Sequence, residues 1–539
     1  TVVRFEFFEE ILGQKATYYE YLIPGKTSYL EAEVRFTQSL LVDQKVTEFL
    51  NSIELITDGD GLVKGATTDK PVFAEAEITT LVKPSVANIL HLYCKEIRLS
   101  NELPVNYLQR SYQFCNGNYG SGFLVAGDGL VATNGHVVTT YPEQDLIGGL
   151  NQGDQVIANF VVDFVREALS TQGLVTTTEQ GLFYTQQMMQ NPSGVQVLIK
   201  SIYDLLDTKA IEVVPISEKY FVNLGNEPFN FSQQKLTVSN INNFVHDSQA
   251  IFGAELVGTD YANLFAKDVV LGEKKPLGSD VALLKILNDN NYTYPSLQLG
   301  NADDLQEGDA ILVIGFPGVV SGSDGGQNLI DYESSSTKAT VTRGIVSSIK
   351  QDNQGNSLIQ TDATIGHGNS GGPAFNDRGE VIGIATYGIM DEVGSFNFLR
   401  DIKDLKELAA SQTNELSPTA SDTYLNWEMA LNYYWGNRFT KSLEFLTKVE
   451  ESYPVHPTAE SIVKDAEESI AEGKDIDLLW GMNKTVVYGF GSGFSLILMV
   501  GLVVIIINKK KNSKPIIVVQ PNQDNQVVRE QLPVNSQST

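Results

Sequence analysis

Cysteine is nearly absent, with only Cys94 and Cys115 in a chain of 539 residues. Two thiols cannot staple a disulfide-dense scaffold or build a cysteine-based zinc site, which leaves a single bridge at most. Histidine is scarce as well, at five residues, so any imidazole base comes from a short roster. Lysine and arginine together number 38 against 66 acidic residues, for a net charge of −28. That balance excludes a nucleic-acid backbone as partner, because counterion release needs clustered cations. The acidity serves solubility instead. No cluster of metal-ligating residues stands out, so neither a metal nor an organic cofactor is expected. Thr1 is neither an initiator methionine nor the start of a signal peptide, which predicts a processed chain.

Apolar residues make up 42% of the chain, enough for real cores, and the length predicts two to four domains. Short alternating runs such as YYEYLI and YLEAEVRF predict a β-rich N-terminal extension over 1–78. Near the other end, VVYGFGSGFSLILMVGLVVIII is free of charge from Val486 to Ile507. At about 1.5 Å per residue it is long enough to cross a hydrocarbon core of about 30 Å. Trp480 and Tyr488 suit an outer interface, and the lysines from Lys509 to Lys514 place the C-terminus in the cytoplasm. The expected topology is therefore a single-pass membrane protein with everything before 486 extracytoplasmic, and a disordered cytoplasmic tail over 508–539. Residues 412–480 read as helices, with apolar or small residues at Ala430, Phe439, Ser442, Leu446 and Val449, Gly436 at a turn and Pro454 closing the second helix. The layout resembles one tetratricopeptide helix–turn–helix. One such unit cannot bury its face alone, so it is expected to pack on a neighbour.

The chemistry gathers around the decapeptide GHGNSGGPAF, Gly366 to Phe375. Glycines at this density let the backbone bend so that the amides of Gly368 and Ser370 converge on one oxygen beside a hydroxyl. A nucleophilic serine also needs a base and an acid that orients the base. His136 ends GSGFLVAGDGLVATNGHVV, which reads as two strands joined by a Gly-Asp-Gly turn, with Asn-Gly-His at the strand end. Asp280 leads directly into the apolar run VALLKIL, where a carboxylate must find a partner, and an imidazole N–H is a good one. The order His136, Asp280, Ser370 is the order of chymotrypsin-type hydrolases.

These stretches resemble the trypsin-like peptidases of the HtrA (Deg) family. The likeness runs in order through KPSVANI at Lys83, the GSGF…GHVV stretch, FGAELVGTD at Phe252, DVALLKI, LGNADDLQEGDAILVIGFPG at Leu299, ATVTRGIVSSI at Ala339 and IQTDATIGHGNSGGPAFNDRGEVIGIAT at Ile359. The resemblance implies a mainly β, chymotrypsin-like double β-barrel over 79–411, with His136 as general base, Asp280 orienting it and Ser370 attacking a peptide carbonyl. It further implies protein or peptide substrates, a role in protein quality control and assembly into homo-oligomers.

Two departures from the family pattern carry information. The stretch between His136 and Asp280 is far longer than usual, and the excess, about 140–245, shows helical runs at Val156–Leu169, Gln180–Gln190 and Val195–Leu206. No PDZ domain follows the protease region. The helical unit and the apolar span take its place. Within the fold, the residue six before the serine sits at the base of the primary specificity pocket. Here it is Thr364, with Ile365 nearby and Ala385, Thr386 and Gly388 as wall residues. No carboxylate waits there for Lys or Arg, so small or medium aliphatic side chains are expected. Asn369 stands where zymogen-activated relatives carry an aspartate, so activation by N-terminal cleavage is not expected. Cys94 and Cys115 flank a loop between two strands and either bridge across them or stay as a buried free pair. A catalytically silent or partner-gated, protease-like binding scaffold is the competing reading of the whole.

Overall fold

The structure is a computed structural model. It describes residues 74–476 apart from 104, 152–153, 175–176, 233, 247, 288–289, 318–336, 367, 392–393, 413–415 and 417–419, with the backbone alone for 387–391 and 394–395. It also describes the backbone of three N-terminal strands and of one short pairing, Leu478–Leu479 with Met482–Asn483. The apolar stretch 486–507 and the tail 508–539 lie outside the described residues. Among those described, no helix is long and apolar enough to cross a membrane.

The expected N-terminal strands are β1 (Val3–Ile11), β2 (Gln14–Pro24) and β3 (Tyr29–Thr37), paired antiparallel in that order. A helix, α1 (Glu75–Val82), leads into the first barrel. That barrel comprises β4 (Val86–Leu99), β5 (Ser111–Ala126), β6 (Leu130–Thr133), β7 (Ile211–Asn223), β8 (Ile251–Asp260) and β9 (Val281–Ile286), closed in the order β4-β5-β6-β9-β8-β7. The second comprises β10 (Ala310–Gly315), β11 (Thr340–Gln351), β12 (Ser357–Thr361), β13 (Pro373–Phe375), β14 (Val381–Asp391) and β15 (Gly394–Asp401), closed as β10-β11-β12-β15-β14-β13. Closure leaves no open edge on either sheet. The turn read at Gly127-Asp128-Gly129 joins β5 to β6, with Gly129 at φ +89. Cys94 and Cys115 face each other across the β4–β5 ladder and are bridged.

The insertion is helical where its sequence suggests, at α4 (Gln155–Ser170), α5 (Thr178–Met189) and α6 (Pro192–Asp207), preceded by α3 (Pro142–Asn151). A four-residue turn of helix, α2 (Gly135–Val138), stands before it. The helical part ends at Asp207, earlier than the expected 245, because β7 returns the chain to the barrel. Pro215 disguises that strand, since proline is tolerated in a sheet only at edges and irregularities. Here it sits where the β4–β7 register shifts, opposite Lys95. The insertion packs on the first barrel, where its Leu146, Ile157, Phe160, Leu198 and Ile202 share a core with Tyr93, Ile97, Tyr112 and Phe114 of β4 and β5.

A short helix, α7 (Lys267–Val270), lies between β8 and β9, and downstream of β15, α8 (Ile402–Ser411) is followed by α9 (Asp422–Trp435), α10 (Phe439–Ser452) and α11 (Ala459–Ala471). Ala430, Phe439, Ser442, Leu446 and Val449 are all buried, as their spacing predicts. Ser442 Oγ donates to the Ala430 carbonyl at 2.8 Å, so the small residue lets α9 and α10 approach. The left-handed residue of their turn is Asn437, φ +55, while Gly436 has φ −77. The neighbour that covers these helices is the pair of barrels with α1. Trp427, Leu431, Leu446 and Val449 share one core with Leu81, Phe123, Val281, Ile314 and Phe375.

Candidate active site

Strand pairing brings the first two groups together. β6 and β9 are hydrogen-bonded neighbours with Thr133 opposite Ala282. The chain leaving β6 and the chain entering β9 therefore meet at one end of the barrel. His136 lies just beyond Thr133, and Asp280 just before Val281. Their side chains meet with His136 Nδ1 and Asp280 Oδ2 2.8 Å apart, and the His136 backbone N–H donates to Asp280 Oδ1 at 2.9 Å. Asn134 Nδ2 donates to the Asp280 carbonyl at 2.7 Å. Asp280 itself has φ +54, a left-handed conformation that aspartate tolerates better than most side chains and that its surroundings here hold in place.

Thr386 supplies a contact that sequence reasoning missed. Expected as a pocket wall, it is 2% exposed and donates its Oγ1 to Asp280 Oδ2 at 2.6 Å. Its carbonyl accepts the Ser370 hydroxyl at 3.1 Å. One residue of β14 thus touches both the acid and the serine. Ser370 is joined to the His136–Asp280 pair through Thr386, with its hydroxyl turned to that carbonyl in place of the imidazole.

The electrostatics follow from these contacts. Burial alone lowers the pKa of His136, but the charge and hydrogen bond of Asp280 overcome it and hold the imidazole above its ordinary value. Burial acts in the opposite sense on Asp280. The His136 charge, its ring and backbone N–H groups, and the Thr386 hydroxyl outweigh it and keep the carboxyl below its ordinary value.

The Gly-rich loop between β12 and β13 is held from the first barrel by Ser121. Its Oγ donates to the Gly368 carbonyl at 2.6 Å, and its N–H donates to the Ser370 carbonyl at 2.8 Å. Gly371 tolerates no side chain. At φ +87, an added Cβ would lie 2.1 Å from the Ser121 carbonyl oxygen and 2.4 Å from Thr133 Oγ1. Gly368 has φ +93. Among the described residues, neither the Gly368 nor the Ser370 amide is paired with an acceptor.

Of the expected pocket residues, Thr364 is exposed, Ile365 packs beside the buried Ala385, and Gly388 is on β14 opposite Asn397 of β15. Asn397 is a second missed residue. It is 3% exposed and donates Nδ2 to the Ala363 carbonyl at 2.8 Å, next to Thr364. Neither a group of acidic, histidine or cysteine residues fit for a metal ion nor a free cysteine occurs among the described residues.

With this geometry in view, similarity to known proteins falls into place. Residues 223–384 match the sequence model of the family described as Trypsin-like peptidase domain, a span that includes Asp280 and Ser370 and begins after His136. The probable periplasmic serine endoprotease DegP-like of Rickettsia conorii is 32% identical over 190 residues, covering 32% of this chain and 34% of that protein. Serine protease HTRA1B of Danio rerio is 33% identical over 212 residues, covering 36% of this chain and 39% of that one. The chain therefore spans little more than a third of the length of these relatives. Among solved structures, the HtrA-type protease AlgW with decapeptide aligns over 63% of this chain and 67% of its own, at 19% identity and a TM-score of 0.30, too low to bear weight. Over these spans the chain is similar to the trypsin-like peptidase domain and to the HtrA and DegP-like endoproteases.

Proposed function

We propose that the chain is a serine endopeptidase that cleaves unfolded or exposed protein segments, held at a membrane by the 486–507 stretch with its protease domain extracytoplasmic. The observation that carries the reading is the hydrogen-bonded His136–Asp280 pair, tied through Thr386 to Ser370. In the reaction, Ser370 Oγ attacks the peptide carbonyl as its proton passes to His136 Nε2. Asp280 holds Nδ1–H and stabilises the imidazolium that forms. The amides of Gly368 and Ser370 receive the developing oxyanion. His136 then gives its proton to the leaving amine, and water releases the acyl group by the same path in reverse. Thr364, Ile365, Ala385 and Gly388 favour a small or medium aliphatic side chain before the cleaved bond, since none of them offers a carboxylate.

A partner-gated form of the same enzyme is favoured by one contact. The Ser370 hydroxyl rests on the Thr386 carbonyl and must rotate to reach His136 before it can react.

The test is covalent labelling of the protein by a fluorophosphonate, alongside casein degradation, in wild type, Ser370→Ala and His136→Ala. Labelling and degradation by wild type alone are expected. A protein that never labels and never cleaves is either the partner-gated enzyme without its partner or the binding scaffold. Because the base must be neutral to act, and Asp280 holds its pKa up, the acidic limb of kcat/KM is expected above about pH 6.5, the ordinary imidazole value.

A further inference from the structure

Asp280 closes a long loop, 261–279, that leaves β8 at Asp260 and returns to β9. The loop's first half is fastened to the helical insertion at every second residue. Tyr141 Oη donates to the Tyr261 carbonyl at 2.6 Å. Asn263 Nδ2 donates to Glu143 Oε2 at 3.1 Å, and Tyr203 Oη donates to the Phe265 carbonyl at 2.8 Å. Lys267 Nζ reaches Asp204 and Asp207 at 3.1 and 2.6 Å. These partners come from the two ends of the insertion, α3 with the residue before it and α6, which pack together through Leu146, Ile147 and Ile202. The loop's second half is fastened elsewhere, on the β11–β12 hairpin, where Gln354 Nε2 donates to the Pro276 carbonyl at 2.8 Å and Gln354 Oε1 accepts the Gly278 N–H at 3.2 Å.

The fastening reaches the acid itself. Asp260 binds the Ser279 N–H and hydroxyl through its carboxylate, at 3.0 and 2.6 Å, and the Asp280 N–H through its carbonyl, at 2.7 Å. Tyr261 comes next in the chain, and its ring centroid lies 6.3 Å from that of His136. Gly135 leaves room for it, since a Cβ there would fall 2.4 Å from the Tyr261 Cβ. The base and the acid are thus each within a few residues of a bond to the same body. Tyr141 follows His136 by five positions, and the residue it holds follows Asp260. The insertion is in turn seated on the barrel by a buried ion pair, Lys95 Nζ to Asp145 Oδ2 at 2.6 Å, with Thr140 Oγ1 as a further acceptor.

We infer that the helical insertion is a positioning clamp for the segment that carries Asp280, and that Tyr141 and Tyr203 are its positioning residues. The inference rests on the triad reading above. A left-handed aspartate relaxes when its surroundings loosen, and the imidazole then loses part of the carboxylate that orients it and favours its protonated form.

Tyr141→Phe and the double variant Tyr141→Phe/Tyr203→Phe each remove hydroxyls and keep the rings. In the full chain, labelled with 13C at histidine, the titration midpoint of the His136 signal is expected to move to lower pH than in wild type. Its assignment comes from the His136→Ala spectrum. The acidic limb of fluorophosphonate labelling is expected to move the same way, and the maximal labelling rate to fall about 10-fold in the double variant, short of the ~100-fold that misplacement by about 1 Å costs. Phe183→Ser, on the exposed side of α5 and away from the bonds to the 261–279 loop, is expected to match wild type. An unmoved His136 titration in the double variant overturns the clamp, and so does a rate loss that merely tracks a lower folded fraction with both midpoints unmoved. A moved titration in a protein whose wild type never labels upholds the clamp and overturns a constitutively active peptidase, so the two failures are distinct.

Discussion

The two helical additions both share apolar cores with the barrels, but only the insertion also holds the segment that carries Asp280 by a row of polar bonds. The C-terminal helices α9–α11 merge with the barrels. Trp427, Leu431 and Leu446 are fully buried in the same apolar cluster as Phe123 and Phe375. The insertion shares an apolar core with β4 and β5 through Tyr93, Ile97, Tyr112 and Phe114, but it meets the segment that carries Asp280 through hydroxyls, amides and carboxylates. Apolar burial is strong and indifferent to direction, whereas hydrogen bonds are modest in net worth and demand geometry. The first kind of joint holds a fold together. The second sets where one residue stands.

Four substitutions break or sharpen that contrast. The largest effect is expected at the point the insertion holds. Asp280→Asn keeps a side chain that tolerates positive φ and removes the charge, so the maximal labelling rate should fall by about 10⁴-fold with the melting curve little changed. A small rate loss would mean that the acid is dispensable and the clamp has nothing to position. Next is the merged joint. Trp427→Ala empties a fully buried site and takes the indole N–H from the Leu81 carbonyl, 3.0 Å away, for a loss of about 3–5 kcal/mol in denaturant unfolding. A separate early transition for the helices, with the barrels unaffected, would show that they fold as their own unit.

Lys95→Met tests the insertion's seat. It leaves Asp145 buried without its cation, at a cost of about 3–5 kcal/mol. Burial already pushes the Asp145 carboxyl up despite the lysine, so in the variant it takes a proton more readily and the loss should shrink as pH falls. A deficit independent of pH would assign the effect to packing. The smallest effect is expected at Lys267→Ala. Its partners Asp204 and Asp207 are 53% and 54% exposed, and the change in stability should stay too small to resolve in denaturant unfolding. A larger one would move the weight of the clamp from the tyrosines to the ion pairs.

How much of this was legible in the sequence depended on whether a signal was local. His136 and Ser370 sit in glycine-rich strand ends and turns whose backbone demands leave a written pattern, and Asp280 stands at the mouth of an apolar run. The helices of the insertion announced themselves by periodicity. α3 did not, because Gly148 and Gly149 depress its helix propensity. β7 was hidden by Pro215. Thr386, Asn397 and Tyr141 were out of reach for another reason. Each acts on a residue distant in the chain, and a threonine, asparagine or tyrosine bonded across 106, 34 or 120 positions looks locally like any other. The cover for the C-terminal helices was likewise demanded by their apolar face without being named by it.

The bond from Trp427 to Leu81 spans 346 positions, from the helix before the first barrel to the helices after the second. It works as a buckle. Unfolding of most domains begins with fraying at loose ends, but here the leading helix and the trailing ones are fastened to each other across the barrel seam, so neither can peel away without opening the centre. A chain cut before Asp422 would therefore be an unbuckled protease rather than a shorter one, with the apolar seam between its barrels laid open to water.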